Sequence, residues 1–423
     1  MLHVDSDMSN LTIQHDRLRR QNVNKVHNSV GLDIMTDRTA IAVVGAGKIG
    51  ETIAALLLGC GDYKVTLIDS TQEALDAIPN HSALKKIQLH VGIDPALQDC
   101  VAGHFAVLSS APFYLTRIIA DAAHATGCHY LDLTEDVAST EYVREIARES
   151  ERAFIPQCGL APGFISIVAN DVAAKFTRLD TIRICVGALP QYPSNSLNYN
   201  LTWSTDGVIN EYCEPCIAIK DGSVVSVPPL EHLEHFSLDG INYESFNTSG
   251  GLGSLGETMA GRIQNLSYQT IRYPGHRDIM KTLLHDLDLR QHRDLLKNVL
   301  ENAVPATMQD VVIVFVTVSG QYDGQLLQET YANKIYGASV GGIARSAIQI
   351  TTASSICAMV DLLRQHRIPS KGFIRQEEIS LNEFLVNRFG KVYEIKGPAE
   401  KAYIEPNDEL ISASRPQTLR SMT

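Results

Sequence analysis

The sequence predicts an α/β protein whose first half is a doubly wound parallel sheet, and three observations carry that prediction. From residue 39 to 160, short β-branched runs alternate with alanine-rich stretches of helical period. A glycine-rich turn joins the first run, "AIAVV", to the helix-like "ETIAALLLGC". The next run, "KVTLID", ends on an acid, Asp69. The 423-residue length allows two or three domains, and 44% hydrophobic with 20% charged residues is ordinary for a globular chain.

The first turn reads G-x-G-x-x-G at Gly45, Gly47 and Gly50. Gly45 suits the tight turn, Gly47 lets the backbone approach a pyrophosphate, and Gly50 lets helix and strand pack closely. Lys48, Ile49 and Gly50 open the helix, where free N–H groups and the positive dipole end favour an anion. Asp69 lies 19 residues after Gly50, the spacing of a carboxylate that binds a ribose 2′-hydroxyl. Ser70 and Thr71 follow it, with no Arg to hold a 2′-phosphate. The pattern therefore predicts a Rossmann domain for NAD, with NADP disfavoured.

The alternation continues through "IQLHV" (87–91), "HFAVLSSAP" (104–112), "HYLDL" (129–133) and "RAFIPQCG" (152–159), with helical "LTRIIADAAHATG" and "TEYVREIARESE" between them. Ligands lie at the carboxyl ends of strands in such sheets. That rule assigns Ser110, Ala111, Pro112, Asp132 and Thr134 to the cofactor side, Ala111-Pro112 forming either a wall beside the nicotinamide ribose or an ordinary strand-to-helix turn.

A second G-x-G-x-x-G stands at Gly251, Gly253 and Gly256. The preceding "NYESFNTSG" is polar with no buried-strand run, and no strand-end acid follows about 20 residues on. These glycines are expected to bring a loop close to a small ligand, with Asn247, Thr248 and Ser249 as short polar side chains. Arg272, Tyr273 and His276 surround the Pro274-Gly275 turn, where an Arg fork suits a carboxylate.

The second half is otherwise β-rich. Residues 217–227 form a hairpin on Asp-Gly, and 310–335 form a long strand, a turn at Tyr322-Asp323-Gly324 and a return strand. With "TIRICVGAL" and "LNYNLTWS" these make a second α/β domain on a mixed or antiparallel sheet. The apolar stretch 341–363 reads as one helix that packs back on the first domain, and Ser380-Leu-Asn-Glu383 as a capping box. The expected organisation is a polar, flexible extension (1–37), the dinucleotide domain (38–160), a substrate and oligomerisation domain (161–340), a C-terminal segment (341–404) and a flexible tail (405–423).

A formal charge of -12 disfavours nucleic-acid and membrane-surface partners, both polyanionic. No apolar run reaches the roughly 18 residues of a membrane span. The eight cysteines lack disulfide-framework spacing, which predicts reduced thiols and a cytoplasmic location. Cys213-Glu-Pro-Cys216 has no second C-x-x-C, and His232 and His235 only approximate a ligand pair, so two structural thiols and no metal are expected.

The segments "GAGKIG", "SSAPFY", "HYLDLTED", "CGLAPGF", "STDGVINEY", "FNTSGGLGSLGETMAG" and "TIRYPGH" are together similar to the saccharopine dehydrogenase family, within it the lysine 6-dehydrogenase-like branch, over residues 39 to 400. The resemblance implies an NAD(P)-dependent oxidoreductase acting on an amino acid, usually a homodimer or higher homo-oligomer.

Amine oxidation needs the amine neutral, because an ammonium has no lone pair to drive hydride loss. A general base is therefore required, and His276, Asp206, Glu211 and Asp136 are the candidates. For lysine, Arg272 is expected to hold the α-carboxylate and Glu211 the α-ammonium, while Glu211 as a structural partner of an Arg stays open. Cys158 is expected to line the nicotinamide pocket as a small apolar wall. The rival is a saccharopine dehydrogenase, whose three-carboxylate substrate needs a further anchor such as Arg277 or Arg262. A second rival is an inactive NAD-binding sensor or partner protein.

Overall fold

The structure, a computed structural model, describes residues 38–92 and 96–395. The expected extension 1–37 and tail 405–423 lie outside the described residues.

Six strands build the first sheet: β1 (Thr39–Val44), β2 (Tyr63–Asp69), β3 (Leu84–Gln88), β4 (Ala106–Ser109), β5 (His129–Asp132) and β6 (Ala153–Ile155). Their order is β3-β2-β1-β4-β5-β6, all parallel, so the chain reverses direction of build-up between β1 and β4. That switch point opens a crevice at the carboxyl ends of β1 and β4. Helices α1 (Lys48–Gly59), α2 (Thr116–Ala125) and α3 (Val137–Glu149) are the long crossovers. β3 starts three residues before the expected 87–91, because its register pairs Gln88 with Asp69 and turns Leu89 and Val91 into the core.

After α4 (Phe164–Ala173), the second sheet uses β7 (Arg178–Pro190), then, beyond helix α5 (Thr205–Cys213), β8 (Cys216–Lys220), β9 (Ser223–Val227), β10 (Glu234–Leu238), β11 (Ile241–Asn247) and β12 (Asn265–Arg272). Helix α6 (Arg293–Ala303) precedes β13 (Asp310–Tyr322) and β14 (Gln325–Tyr336). The order is β10-β11-β12-β7-β13-β14, with the β8–β9 hairpin attached to β12. β12 and β7 are parallel and the other pairs antiparallel, so the sheet is mixed. Both Asp-Gly hairpin turns have positive φ at the two residues, 49° and 77° at 221–222 and 46° and 78° at 323–324, as tight hairpins require.

Three expectations are corrected. Residues 197–204 form no strand beyond an isolated bridge of Leu201 with Ala306; Tyr199, Leu201 and Trp203 instead pack among the helices around α5 and α6. The polar "NYESFN" is strand β11, with its last five residues buried. The stretch from 341 opens as a ribbon, β15 (Ala338–Val340) against β16 (Ile343–Arg345), and helix α7 begins only at Ala347 and runs to Arg364. Its N-terminus carries a complete capping box, Ser346 with Gln349. At Ser380 only half a box forms, since the Glu383 carboxylate pairs with Arg367.

α7 packs against α1 within one apolar cluster, buried along nearly its whole length. Beside that contact, Tyr63 of β2 donates to Asp361 of α7 at 2.5 Å, and Arg345 of β16 pairs with Glu51 of α1 at 2.7 Å. Downstream, β17 (Gly372–Phe373) adds to β6 in parallel and extends the first sheet. Among the described residues no helix is long and apolar enough to cross a membrane.

Candidate active site

The first glycine turn is built for close approach. Gly45 has φ +102°, and a Cβ there would stand 2.9 Å from Ser110. The Ser110 hydroxyl reaches the carbonyls of Val44 and Gly45 at 3.1 and 3.0 Å, which ties β4 to the turn. A Cβ on Gly50 would overlap the Gly45 carbonyl at 1.8 Å, so only glycine lets α1 start this close to β1. Gly47, by contrast, faces open space, with no heavy atom within 4 Å of where its Cβ would be. Among the described residues no side chain caps α1, which leaves the first-turn amides of Lys48, Ile49 and Gly50 for an anion. Asp69 accepts from Ala46 N at 2.6 Å and Thr71 N at 2.8 Å, fixing its carboxylate beside the glycine turn. These residues fit a dinucleotide: open space at Gly47 for the pyrophosphate, uncapped amides, and a held carboxylate for the ribose.

Ala111 and the exposed Pro112 follow β4 at the same edge. Asp132 is buried and accepts from Thr134 N and Gln157 N, both at 3.0 Å; burial pushes its carboxyl up to about 6 despite those bonds. Thr134 in turn accepts from Asp136 N at 3.2 Å. This network stiffens the loop after β5 and leaves Asp132 beneath the crevice.

The second glycine motif is where the two domains meet. Its preceding strand β11 exists but runs antiparallel to its neighbours, and the following helix, Leu255–Met259, has five residues. A Cβ on Gly251 would stand 2.1 Å from the Tyr268 ring; one on Gly250 would stand 3.2 Å from Glu135 Oε2, and one on Gly253 2.6 Å from Gln157 Oε1. The glycines thus let the loop lie flat against β12 on one side and the first domain on the other. Glu377 holds the loop from behind, accepting from Ser254 at 3.0 Å and Thr258 at 2.5 Å.

On β12, alternation puts Tyr268, Thr270 and Arg272 on one face and Gln269, Ile271 and Tyr273 on the other. Arg272 is 2% exposed. Its Nε donates to Tyr212 Oη at 2.9 Å, and Nη1 donates to Thr270 Oγ1 at 2.6 Å and Ile271 O at 2.9 Å. The rings of Tyr199 and Tyr212 lie 5.2 and 5.8 Å from the guanidinium carbon. Nη2 has no hydrogen-bond partner among the described residues, which leaves one arm of the fork for a carboxylate.

Glu211, on α5, is buried within reach of that charge: burial raises its carboxyl and Arg272 pulls it back down. Its own backbone carbonyl accepts from Ser249 N at 3.0 Å. Glu135, in the loop after β5, has its carboxyl raised by burial, then by Glu211 and by Asp136. Thr248 is 2% exposed and its hydroxyl has no partner among the described residues.

Several sequence-predicted residues are committed elsewhere. His276 donates from Nδ1 to Leu197 O at 2.9 Å and accepts from Tyr212 at Nε2, 3.0 Å; burial, then Arg272, hold it down to about 3. Both nitrogens are used, so it orients Tyr212 and has no lone pair for a substrate proton. Asp206 points outward, its side chain 68% exposed and paired to Lys297 at 2.6 Å. Asp136 caps α3 through Ser139 N at 2.7 Å. Tyr273 lies on the face away from Arg272, its hydroxyl on Pro190 O at 2.9 Å. Asn247 reaches Pro228 O at 3.3 Å, with its backbone tied to Leu230 and Glu231. Cys158 is fully buried, its thiol raised well above the usual range by burial and held at 3.2 Å by Gln376. The residues that sequence reasoning passed over are Glu135, Tyr212 and Tyr268. Glu135 stood between two chosen positions, Thr134 and Asp136; Tyr268 shares the strand face of Arg272 by even spacing.

Residues 41–156 match the family described as saccharopine dehydrogenase NADP binding domain, and residues 159–393 match the saccharopine dehydrogenase C-terminal domain. The chain belongs to the saccharopine dehydrogenase family. A curated relative in this family is the mitochondrial alpha-aminoadipic semialdehyde synthase of Bos taurus, 21% identical over 397 residues, covering 88% of this chain and 39% of the relative. The chain therefore spans about two fifths of the length of that protein. Another is saccharopine dehydrogenase [NADP(+), L-glutamate-forming] of Pyricularia oryzae, 24% identical over 279 residues, 63% of this chain and 61% of that one. Apo saccharopine dehydrogenase (L-Glu forming) from Saccharomyces cerevisiae superposes with a TM-score of 0.68 at 16% identity, over 82% of this chain and 97% of that one, and shares the fold. Within that family, the segment that holds the glycine turn and Asp69 is the one matched to the NADP binding domain.

Proposed function

We propose that this family member is an NAD-dependent dehydrogenase of a primary amine on an amino acid, lysine being the substrate that fits best. The observation that carries the reading is the charge inventory where the domains meet: one guanidinium with a free arm, and two carboxylates without partners. That set, one cation and two acids, matches the single carboxylate and the two amino groups of lysine. Saccharopine, with three carboxylates, calls for further cationic anchors. Arg277 is occupied by Leu230 O, Asp278 and Glu231, Arg183 by Glu234, Ser245 and Gln269, and Arg262 is exposed.

In this reading Arg272 Nη2 holds the substrate carboxylate, Tyr212 and His276 keep the guanidinium in place, and buried Glu211 with half-buried Glu135 receives the amino groups. NAD, when bound, supplies the hydride acceptor. Loss of a proton from the ammonium frees the lone pair that drives hydride departure from the adjacent carbon. Water then attacks the resulting imine, releasing ammonia and a semialdehyde that cyclises onto the remaining amine.

The choice of NAD rests on Asp69. Family and fungal relatives carry NADP in their descriptions. In support of NAD, the strand-end acid Asp69 is held by Ala46 N and Thr71 N, Gln88 stands opposite it on β3, and Lys86 is drawn away to Ile78 O and Asn80. A carboxylate repels a phosphate and binds a hydroxyl.

The test is a spectrophotometric assay of nucleotide reduction with lysine, saccharopine and other diamines, each with NAD and with NADP. Lysine-dependent reduction of NAD is expected, and Arg272→Ala should raise KM for lysine while NADH affinity holds. Turnover of saccharopine alone would favour the activity named for the fungal relatives. Preference for NADP would refute the role given to Asp69.

A further inference from the structure

β17 joins β6 in parallel, with Gly372 opposite Ala153 and Phe373 opposite Phe154. That register carries the chain on beside β6 and sets Gln376 next to Pro156, at the carboxyl end of the sheet where ligands gather. Gln376 is 2% exposed, and its Nε2 donates to Pro156 O at 2.8 Å and to Cys158 Sγ at 3.2 Å. Glu377, equally buried, reaches the other domain. Its carboxylate accepts from Ser254 at 3.0 Å and Thr258 at 2.5 Å, both in the glycine loop 249–258, and its carbonyl accepts from Asn170 of α4 at 2.7 Å. Two consecutive residues of the C-terminal segment thus hold one loop of each domain.

The two loops also touch one another. A Cβ on Gly253 would stand 2.6 Å from Gln157 Oε1 and 3.0 Å from Pro162 Cβ, so no side chain separates them. Gln157 has φ 63°, a left-handed conformation that a non-glycine residue keeps only where its surroundings enforce it. They do so here. Asp132 accepts from Gln157 N at 3.0 Å and from Cys158 N at 2.8 Å, Thr140 accepts from Gln157 Nε2 at 3.3 Å, and Gln376 holds the Pro156 carbonyl just before it. On its far side the glycine loop meets the substrate groups: Gly251 lies against Tyr268, on the strand face of Arg272, and Ser249 N donates to Glu211 O at 3.0 Å. A further tie to this loop, Arg144 on Glu257 at 3.0 Å, lies at the surface and is worth little.

We infer that Gln376 and Glu377 form one bracket that fixes the gap between the loop after β6 and the glycine loop, and so positions the substrate carbon against the cofactor for hydride transfer. This rests on the amine-dehydrogenase reading. Both residues act through the loops they hold, as positioning residues and not as catalytic ones. Hydride transfer is sensitive to such a gap, because the reacting atoms must stand about 3–3.5 Å apart and a misplacement of about 1 Å can cost about 100-fold. Affinity depends instead on groups that belong to one domain each, Arg272 for the substrate and the first glycine turn for the nucleotide. The bracket therefore bears on kcat more than on KM.

The test uses the full chain with Glu377→Ala, Glu377→Gln, Gln376→Met and, as a control, Arg144→Ala. Amide hydrogen exchange, followed by mass spectrometry without substrate, should quicken in both 156–163 and 249–258 for Glu377→Ala and for Gln376→Met alike. With lysine and NAD, both variants should lose about 10- to 100-fold in kcat while KM and NADH affinity hold. The isotope effect on kcat with lysine deuterated at its ε-carbon should rise in both, because hydride transfer becomes the slower step; a loss of stability alone would not move it. Glu377→Gln should restore turnover, its amide group meeting the same two hydroxyls, and Arg144→Ala should leave turnover unchanged. Faster exchange confined in each variant to the loop that the altered residue touches would overturn the bracket. An unchanged kcat and isotope effect in Gln376→Met would overturn the positioning role, even where Glu377→Ala fails to fold. Coupled exchange without amine oxidation by the unaltered enzyme would overturn the functional reading and the positioning role with it, and leave the bracket standing.

Discussion

Arg272 and His276 are joined through a single atom, the Tyr212 hydroxyl, which accepts from Arg272 Nε at 2.9 Å and donates to His276 Nε2 at 3.0 Å. The direction of every proton in that chain is fixed from its far end. Leu197 O can only accept, so His276 carries its proton on Nδ1 and must accept at Nε2. Tyr212 therefore spends its one proton on the imidazole and its lone pair on the guanidinium. The result is a rigid, buried support for the Arg272 guanidinium.

Tyr212→Phe leaves Arg272 Nε and His276 Nε2 buried without partners. A loss of about 1–3 kcal/mol in unfolding free energy is expected, measured by urea titration. KM for lysine should rise roughly tenfold, equivalent to about 1.4 kcal/mol, with NADH affinity unchanged. A fall in NADH affinity of similar size would show that this support serves the cofactor instead.

His276 is held down to about 3 by burial and by Arg272, while an unfolded His titrates near 6.5. Its folded state cannot take the proton that the unfolded chain binds as pH falls. Stability attached to neutral His276 is thus fully present above about 6.5 and is lost as pH falls from there toward 3. The stability cost of His276→Asn should accordingly shrink by about 2 kcal/mol between pH 7 and pH 5. A cost independent of pH would show that the imidazole protonates in place.

Within the second glycine motif, two positions should respond oppositely to alanine. Gly251 lies against the Tyr268 ring, 2.1 Å from a built Cβ, so Gly251→Ala must displace that ring at about 1–3 kcal/mol. Gly256 sits in a short helix with its nearest neighbour, Ile217 Cγ2, at 3.6 Å. Gly256→Ala should be neutral or stabilising by up to about 1 kcal/mol. Thermal unfolding of the two variants side by side checks the contrast, and equal losses would contradict it.

The nucleotide turn was legible because its determinants are local: a strand, three glycines and an acid within 31 residues, Thr39 to Asp69. β11 was not, because its polar residues are buried by partners distant in sequence. Glu244 accepts from Gly275 N and Arg277 N, and Ser245 joins Gln269 and Arg183. Nothing in the string "NYESFN" announces those partners. His276 and Asp206 were misjudged for the same reason, since a titratable side chain reveals its chemistry only with its neighbours. Glu135 stands in the loop after β5, where the rule that ligands gather at the carboxyl ends of parallel strands points, and Arg272 stands just before a turn the sequence shows.

The β17 strand and α7 make the nucleotide-binding domain discontinuous along the chain. One edge of its sheet and the cover over Ile53, Leu56 and Leu57 on α1 arrive about 200 residues after β6. During synthesis, the first 160 residues must wait with that apolar surface open until Tyr393, part of the same cluster, has left the ribosome. The parallel-sheet domain starts before the mixed-sheet domain and is completed after it.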